Sequence, residues 1–161
     1  MPYRLGVDLG TTFTAAAVSS GASPVMVGLG NRALQIPSVL LAQEDGTFLV
    51  GEPAERRGAV EPARLAREFK RRLGDTVPVL LAEVPYPPQL LMARLLRSVV
   101  GTANERMGGR PEAVMLTHPA NWGAHKLGLL AEVVRLAEIG GTERCAEPEA
   151  AATQYAAQNR L

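Results

Sequence analysis

The chain reads as an α/β domain built on a mixed sheet that opens with an antiparallel meander and is flanked by helices. Three observations predict this class. At the N-terminus Tyr3, Leu5, Val7 and Leu9 alternate with Arg4, Gly6 and Asp8, the period-two pattern of a strand with one buried face. In the middle third the apolar residues fall on helical spacings that start at prolines and stop at glycines. In the last third Ala113 to Leu116 is a continuous apolar run, the kind buried on both faces of a parallel or central strand.

Taken in order, the first strand breaks at Gly10-Thr11-Thr12, and Phe13 to Val18 resumes as a second. Ser19 to Pro24 is a turn, and Val25 to Leu29 a third short strand. Ile36 to Ala42 and Phe48 to Val50 form a pair across Glu44-Asp45-Gly46, so the first fifty residues read as one antiparallel meander. Pro62 opens a helix in which Leu65, Phe69 and Leu73 recur every fourth residue, with Gly74 as its stop and Arg64, Arg67, Lys70 and Arg71 on its other side. A weak apolar stretch from Val77 to Val84 follows. Pro87-Pro88 start a long helix through Leu91, Leu95 and Val99 that ends at Gly108-Gly109. After the strand at Ala113, a helix presents Leu127, Leu130, Val134 and Ala137 inward and closes at Gly140-Gly141. Thr142 to Ala146 is a weak strand candidate, and Pro148 suits the first position of an alanine-rich helix. The final Gln158-Asn159-Arg160-Leu161 carries no cap, so a larger domain is expected to continue there.

Composition narrows the partners. At 161 residues and 47% hydrophobic content, a chain of this size buries roughly 70% of its unfolded surface, which argues against disorder. Seventeen basic against sixteen acidic residues leave a net charge of +1, so no global field draws nucleic acid or an anionic membrane. The basic cluster from Arg64 to Arg72 is short and interrupted by Glu68. One cysteine, Cys145, rules out an internal disulfide framework and fits a reducing compartment. No apolar run reaches the ~18 residues of a membrane span, and the expectation is a cytoplasmic globule. Only two of the seventeen basic residues, Lys70 and Lys126, are lysines.

Asp8-Leu9-Gly10-Thr11-Thr12 carries the strongest chemical signal. A phosphate needs backbone N–H groups at about 3 Å, which Gly10 allows by lacking a Cβ, and Thr11 and Thr12 add hydroxyl donors. Asp8 would hold Mg²⁺ through its waters. Because a strand follows the turn, no helix dipole assists. Spacing alone accommodates an ordinary Asp-x-Gly hairpin equally well. His118 and His125 have no Cys or carboxylate at ligand spacing, which speaks against a metal site there. Trp122 is expected to pack in a loop, and Cys145 to be a small buried apolar group.

Gly6-Val7-Asp8-Leu9-Gly10-Thr11-Thr12 resembles the first phosphate motif of the heat shock protein 70 (DnaK-type) chaperone ATPases, within the actin-like ATPase superfamily. Four further stretches resemble the same family in the same order. Ile36-Pro37-Ser38 with Leu49-Val50-Gly51-Glu52-Pro53-Ala54 is similar to its second hairpin, and Phe69-Lys70-Arg71 to the helix that carries its phosphate-contacting lysine. Thr117-His118-Pro119-Ala120 resembles the strand end with the switch proline, and Glu147-Pro148-Glu149-Ala150-Ala151-Ala152 the connecting motif before a crossover helix. The resemblance spans Tyr3 to Tyr155.

It implies a ribonuclease-H-like lobe, lobe I of a two-lobed domain over residues 1–161, with its core at about 1–38 and 111–161 and a small inserted subdomain at about 39–110. It implies ATP or ADP and Mg²⁺ as cofactors, with K⁺ a further candidate ion, and in the full-length protein unfolded polypeptides and cochaperones as partners. The catalytic set it implies is Lys70, Glu147 and Asp8; the nucleotide contacts are Gly10, Thr11, Thr12, Arg71 and Pro119. Lys70 would reach the β/γ-phosphates as a point charge. On residues alone it could equally be one cation of a basic face, yet a chain that writes fifteen of seventeen cations as arginine keeps lysine here. Glu147 would hold a Mg²⁺-bound water; a carboxylate before a helix is also favoured by the macrodipole. The family's second phosphate loop, adenosine-binding glycines and catalytic threonine lie beyond the equivalent of Leu161, so the lobe alone is expected to bind ATP weakly if at all and not to turn over.

Departures from the pattern are specific. Phe13 replaces an asparagine, Asn121 an aromatic, Leu127 an arginine and Glu149 a threonine, and the segment between Lys70 and Pro119 is shorter than in familiar chaperones. Phe13 and Leu127 motivate an alternative: a degenerate actin-like or regulatory nucleotide-binding module without chaperone activity. A sugar-kinase-type enzyme ranks third.

Overall fold

The computed structural model describes residues 2–21, 23–30 and 33–147. In chain order they form β1 (Arg4–Leu9), β2 (Phe13–Ser19), β3 (Val25–Met26), β4 (Ile36–Pro37), β5 (Leu40–Ala42), β6 (Phe48–Val50), α1 (Glu52–Gly58), β7 (Leu65–Ala66), β8 (Val79–Leu81), β9 (Val84–Tyr86), α2 (Pro88–Met107), β10 (Ala113–His118), α3 (Ala124–Ala137) and β11 (Thr142–Ala146). The architecture is mixed α/β.

The main sheet runs β11-β10-β1-β2-β3, with β4 pairing the other end of β2. β1 and β2 are antiparallel from Arg4 opposite Ser19 to Leu9 opposite Thr14. β10 lies parallel to β1, and β11 parallel to β10. The alternation in β1 turns Leu5, Val7 and Leu9 into one apolar cluster with Leu91, Leu95 and Val99 of α2, Leu130 and Val133 of α3, and Val114 and Leu116 of β10. The opposite face presents the small residues Gly6, Ala15 and Ala17. α2 fits its sequence signals: a proline occupies its first turn, and Gly108, at φ 75°, ends it in the left-handed conformation.

Several expectations are corrected. The helix expected from Pro62 to Gly74 is absent. Pro62–Arg64 and Phe69–Arg72 are short 3₁₀ turns, and β7 between them pairs with β5. Glu68, at φ 53°, breaks any helical path. The four-residue spacing records two separate cores: Leu65 packs in a satellite cluster with Val39, Leu41 and Ala54, whereas Phe69 and Leu73 enter the main core. The meander also stops short of residue 50. Pro37 ends β4, and the Val39 N–H donates back to the Pro37 carbonyl at 2.9 Å, a bend that sends β5 into a second sheet of order β6-β5-β7.

Glu52-Pro53-Ala54, read as part of a hairpin, instead open α1 (Glu52–Gly58). The weak stretch from Val77 is a hairpin, β8 with β9, turned by Ala82 and Glu83 at positive φ. β10 alternates after all: Val114 and Leu116 are buried while Ala113, Met115 and Thr117 are half-buried, because their face lines an open cleft. On α3 the buried residues are Leu130, Val133 and Ala137, with Leu127 and Val134 partly exposed. The helix expected from Pro148 lies outside the described residues.

Candidate functional site

The open face of the sheet carries a cleft of about 440 Å³ whose lining includes Gly6, Asp8, Thr117, Cys145 and Glu147. Five strands line it: the parallel neighbours β11, β10 and β1, which set same-face side chains about 4.8 Å apart, and the antiparallel β2 and β3 through Ala15, Ala17 and Met26. Asp8 is level with Thr117, whose hydroxyl donates to Asp8 Oδ1 at 3.1 Å. Cys145 stands opposite Thr117 in the register. It is half-buried on the cleft wall rather than enclosed in the core.

From Asp8 the chain enters the Gly10-Thr11-Thr12 turn. A Cβ at Gly10 would lie 2.0 Å from the Phe13 carbonyl oxygen, so the turn closes only around glycine. Ser38, directly after β4, braces it: its hydroxyl donates to the Gly10 carbonyl at 2.7 Å, and its N–H donates to the Thr12 carbonyl at 2.8 Å. A third hydrogen bond joins the Ser38 and Thr14 hydroxyls at 2.7 Å. Thr11 is half-buried and Thr12 exposed, which leaves their hydroxyls reachable. Phe13, next along, is 50% exposed.

Lys70 arrives from the second 3₁₀ turn. Its neighbours Phe69 and Leu73 are anchored in the core, and this holds Lys70 at 8% exposure. Its ammonium donates to Glu147 Oε1 at 3.1 Å, joining residues 77 apart in sequence. A buried cation needs such a partner, because its desolvation is otherwise uncompensated. The indole of Trp122 adds a second contact, its centroid 5.7 Å from Lys70 Nζ. Trp122 is placed by a β-turn in which its N–H donates to the Pro119 carbonyl at 3.2 Å, and its ring lies near-parallel to His118 at 6.3 Å between centroids. Lys126, in the first turn of α3, approaches the same ring at 5.9 Å.

Asp8 and Glu147 therefore line one cleft, Lys70 is joined to it through Glu147, and the Gly10-Thr11-Thr12 turn follows Asp8 along the chain. Pro119 is half-buried and contributes its carbonyl to the Trp122 turn. Arg71 points elsewhere: its guanidinium is largely exposed and faces Glu68 at 3.9 Å. Sequence reasoning missed the structural parts played by Ser38, Thr117 and Trp122. A serine after Ile-Pro and a hydroxyl at a strand end were the available signals for the first two; for Trp122 there was none, since its partners are remote in sequence. The described residues hold no cluster of three His, Cys, Asp or Glu side chains able to cage a metal.

No protein-family model matches the chain. Over 161 residues it is 32% identical to the chaperone protein DnaK of Elusimicrobium minutum (strain Pei191), a similarity that covers 96% of this chain. The chain spans about a quarter, 26%, of that curated relative.

Proposed function

We propose that the chain is the ATP-binding first lobe of a heat shock protein 70-like chaperone ATPase, with a ribonuclease-H-like core at about 1–38 and 111–161 and an inserted subdomain at about 39–110. The observation that carries this reading is the Lys70–Glu147 pair, drawn across 77 residues to the cleft that Asp8 also lines. Similarity to a DnaK over nearly the whole chain supports it. The residues suit a nucleotide phosphate. The Gly10 turn is a cradle that a Cβ would fill, and the exposed Asp8 carboxylate lines the same cleft as Glu147, the partner of the buried Lys70 cation.

In this reading Asp8 holds Mg²⁺ through water, as suits an ion that keeps several waters and uses one or two carboxylates plus phosphate oxygens. When bound, Mg²⁺ neutralises charge on the phosphates. Gly10, Thr11 and Thr12 direct N–H and hydroxyl donors at phosphate oxygens. Lys70 carries positive charge to the β/γ end, and Glu147 orients a water; K⁺ is a further candidate counter-ion. Arg71 would reach nucleotide only by leaving Glu68. Phosphoryl transfer asks mainly for positioning and electrostatics, and the opposing wall of the cleft comes from a second lobe. Unfolded polypeptides and cochaperones are the partners of the whole protein in this proposal, and its compartment is the cytoplasm. A second reading, a regulatory module that binds nucleotide without productive hydrolysis, is favoured by the half-exposed Phe13 beside the turn.

Calorimetric titration of the two-lobed protein with ATP·Mg tests the site. The expected result is a saturable change that Lys70→Ala and Asp8→Asn each weaken at least tenfold; equal responses from all three proteins would refute the assignment. In a two-lobed protein, hydrolysis that survives Lys70→Ala would remove Lys70 from the catalytic set. Binding without hydrolysis would select the regulatory module.

A further inference from the structure

We propose that Trp122 is the positioning residue for the Lys70 ammonium, an inference that builds on the nucleotide reading of this site. The chain has two lysines and one tryptophan, and all three meet: Lys70 Nζ and Lys126 Nζ lie 5.7 and 5.9 Å from the same indole centroid. Both distances fall within the reach of a cation–π contact, for which tryptophan is the best ring. Each lysine is otherwise poorly placed for a cation. Lys70 is 8% exposed, and Lys126 sits in the first turn of α3, the positive end of the helix dipole.

Glu147 alone does not fix the Lys70 head. Its side chain is 42% exposed, and an exposed carboxylate on a flexible stem gives a solvent-screened contact with little geometric hold. The indole is the rigid member. Its backbone N–H is tied to Pro119, its plane is matched by His118 at 11°, and its ring packs against the main core. An anion that competes with Glu147 for Lys70 therefore meets an ammonium already held at the cleft by the ring. Lys126 shares that ring, which places a second cation at the same indole.

Two lysines make the test direct. The 161-residue chain labelled with ¹³C at lysine Cε gives two methylene signals, and Lys126→Arg identifies them. Protons over an indole face are displaced upfield by its ring current. The expected result is an upfield Lys70 signal that moves back toward the free-lysine position in Trp122→Leu, is partly retained in Trp122→Phe, and persists in Glu147→Gln. In the two-lobed protein, with ATP·Mg as the probe, half-saturation of nucleotide binding should weaken about two- to tenfold in Trp122→Leu. A Lys70 signal unaffected by a folded Trp122→Leu variant overturns the proposal, as does collapse of the displacement in Glu147→Gln, which would make the carboxylate the positioner. So does wild-type nucleotide affinity in Trp122→Leu. Should the leucine variant not fold, Trp122→Phe and Glu147→Gln decide by the same criteria. If the ring-current displacement is present but the two-lobed protein gives no response to ATP·Mg, the nucleotide reading falls while the positioning of Lys70 stands.

Discussion

Replacing Gly10 by alanine probes the turn on which the candidate phosphate site depends. The new Cβ would lie 2.0 Å from the Phe13 carbonyl oxygen and 3.2 Å from the Phe13 carbonyl carbon. Both are backbone atoms, so no rotamer change relieves the overlap, and the turn must open by more than an ångström to approach an ordinary separation near ~3.5 Å. The first casualties are the bonds from Ser38 to the Gly10 and Thr12 carbonyls, now 2.7 and 2.8 Å. At roughly 1 kcal/mol net for each hydrogen bond, the loss is about 2 kcal/mol. For a domain of this size 1 kcal/mol moves the melting temperature by about 2–4 °C, which gives a drop of about 4–8 °C. Gly6→Ala, within β1, is the matched control. Its Cβ finds only the Ala17 carbonyl oxygen, at 4.0 Å, and the lost freedom of the unfolded chain should stabilise by roughly 0.4–1 kcal/mol. Thermal and urea melts followed by circular dichroism measure both. If Gly10→Ala melts at or above Gly6→Ala, the steric account of this turn is wrong.

Three further outcomes are expected. Ser38→Ala leaves the fully buried Thr14 hydroxyl without its 2.7 Å partner, which should lower stability by about 1–3 kcal/mol, read as a lower urea midpoint at an unchanged m-value. Tyr3→Phe removes the hydroxyl that donates to the Gly109 carbonyl at 2.8 Å and should lower stability by about 1 kcal/mol near neutral pH. Burial raises the Tyr3 phenol pKa, so its contribution is present below the unfolded value of about 10 and is lost as pH rises through the folded one; urea midpoints compared at neutral and strongly alkaline pH should converge for wild type and Tyr3→Phe. In the Asp45 turn the Thr47 hydroxyl, and then its backbone N–H, lower the carboxyl pKa. That contribution is present above the unfolded value near ~3.9 and fades as pH falls through the folded one. Thr47→Val should bring the Asp45 midpoint, measured by carboxyl ¹³C NMR, back toward the usual range, and an unmoved midpoint would sink the assignment.

Local signals made β1, α2, β10 and α3 legible. β1, α2 and α3 are long enough to repeat their periods, β10 stands out as an apolar run, and proline and glycine mark the ends of α2. The Leu65, Phe69 and Leu73 spacing misled because periodicity reports which residues are inside without saying which core they enter. α1 escaped notice because Gly51 and Pro53 look like turn chemistry and its buried side chains are few.

The candidate site divides along the same line. The sequence by itself determined its chemical kinds: a carboxylate, a glycine and two hydroxyls in a tight turn, and a lysine where the chain otherwise writes arginine. Tertiary structure alone decided that Lys70 is buried against Glu147, that Ser38 braces the Gly10 turn, that Arg71 turns to Glu68, and that one indole serves both lysines. Residue type and short spacing are read within a few positions along the chain, whereas a pairing across 77 residues exists only once α2, α3 and the parallel strands have packed.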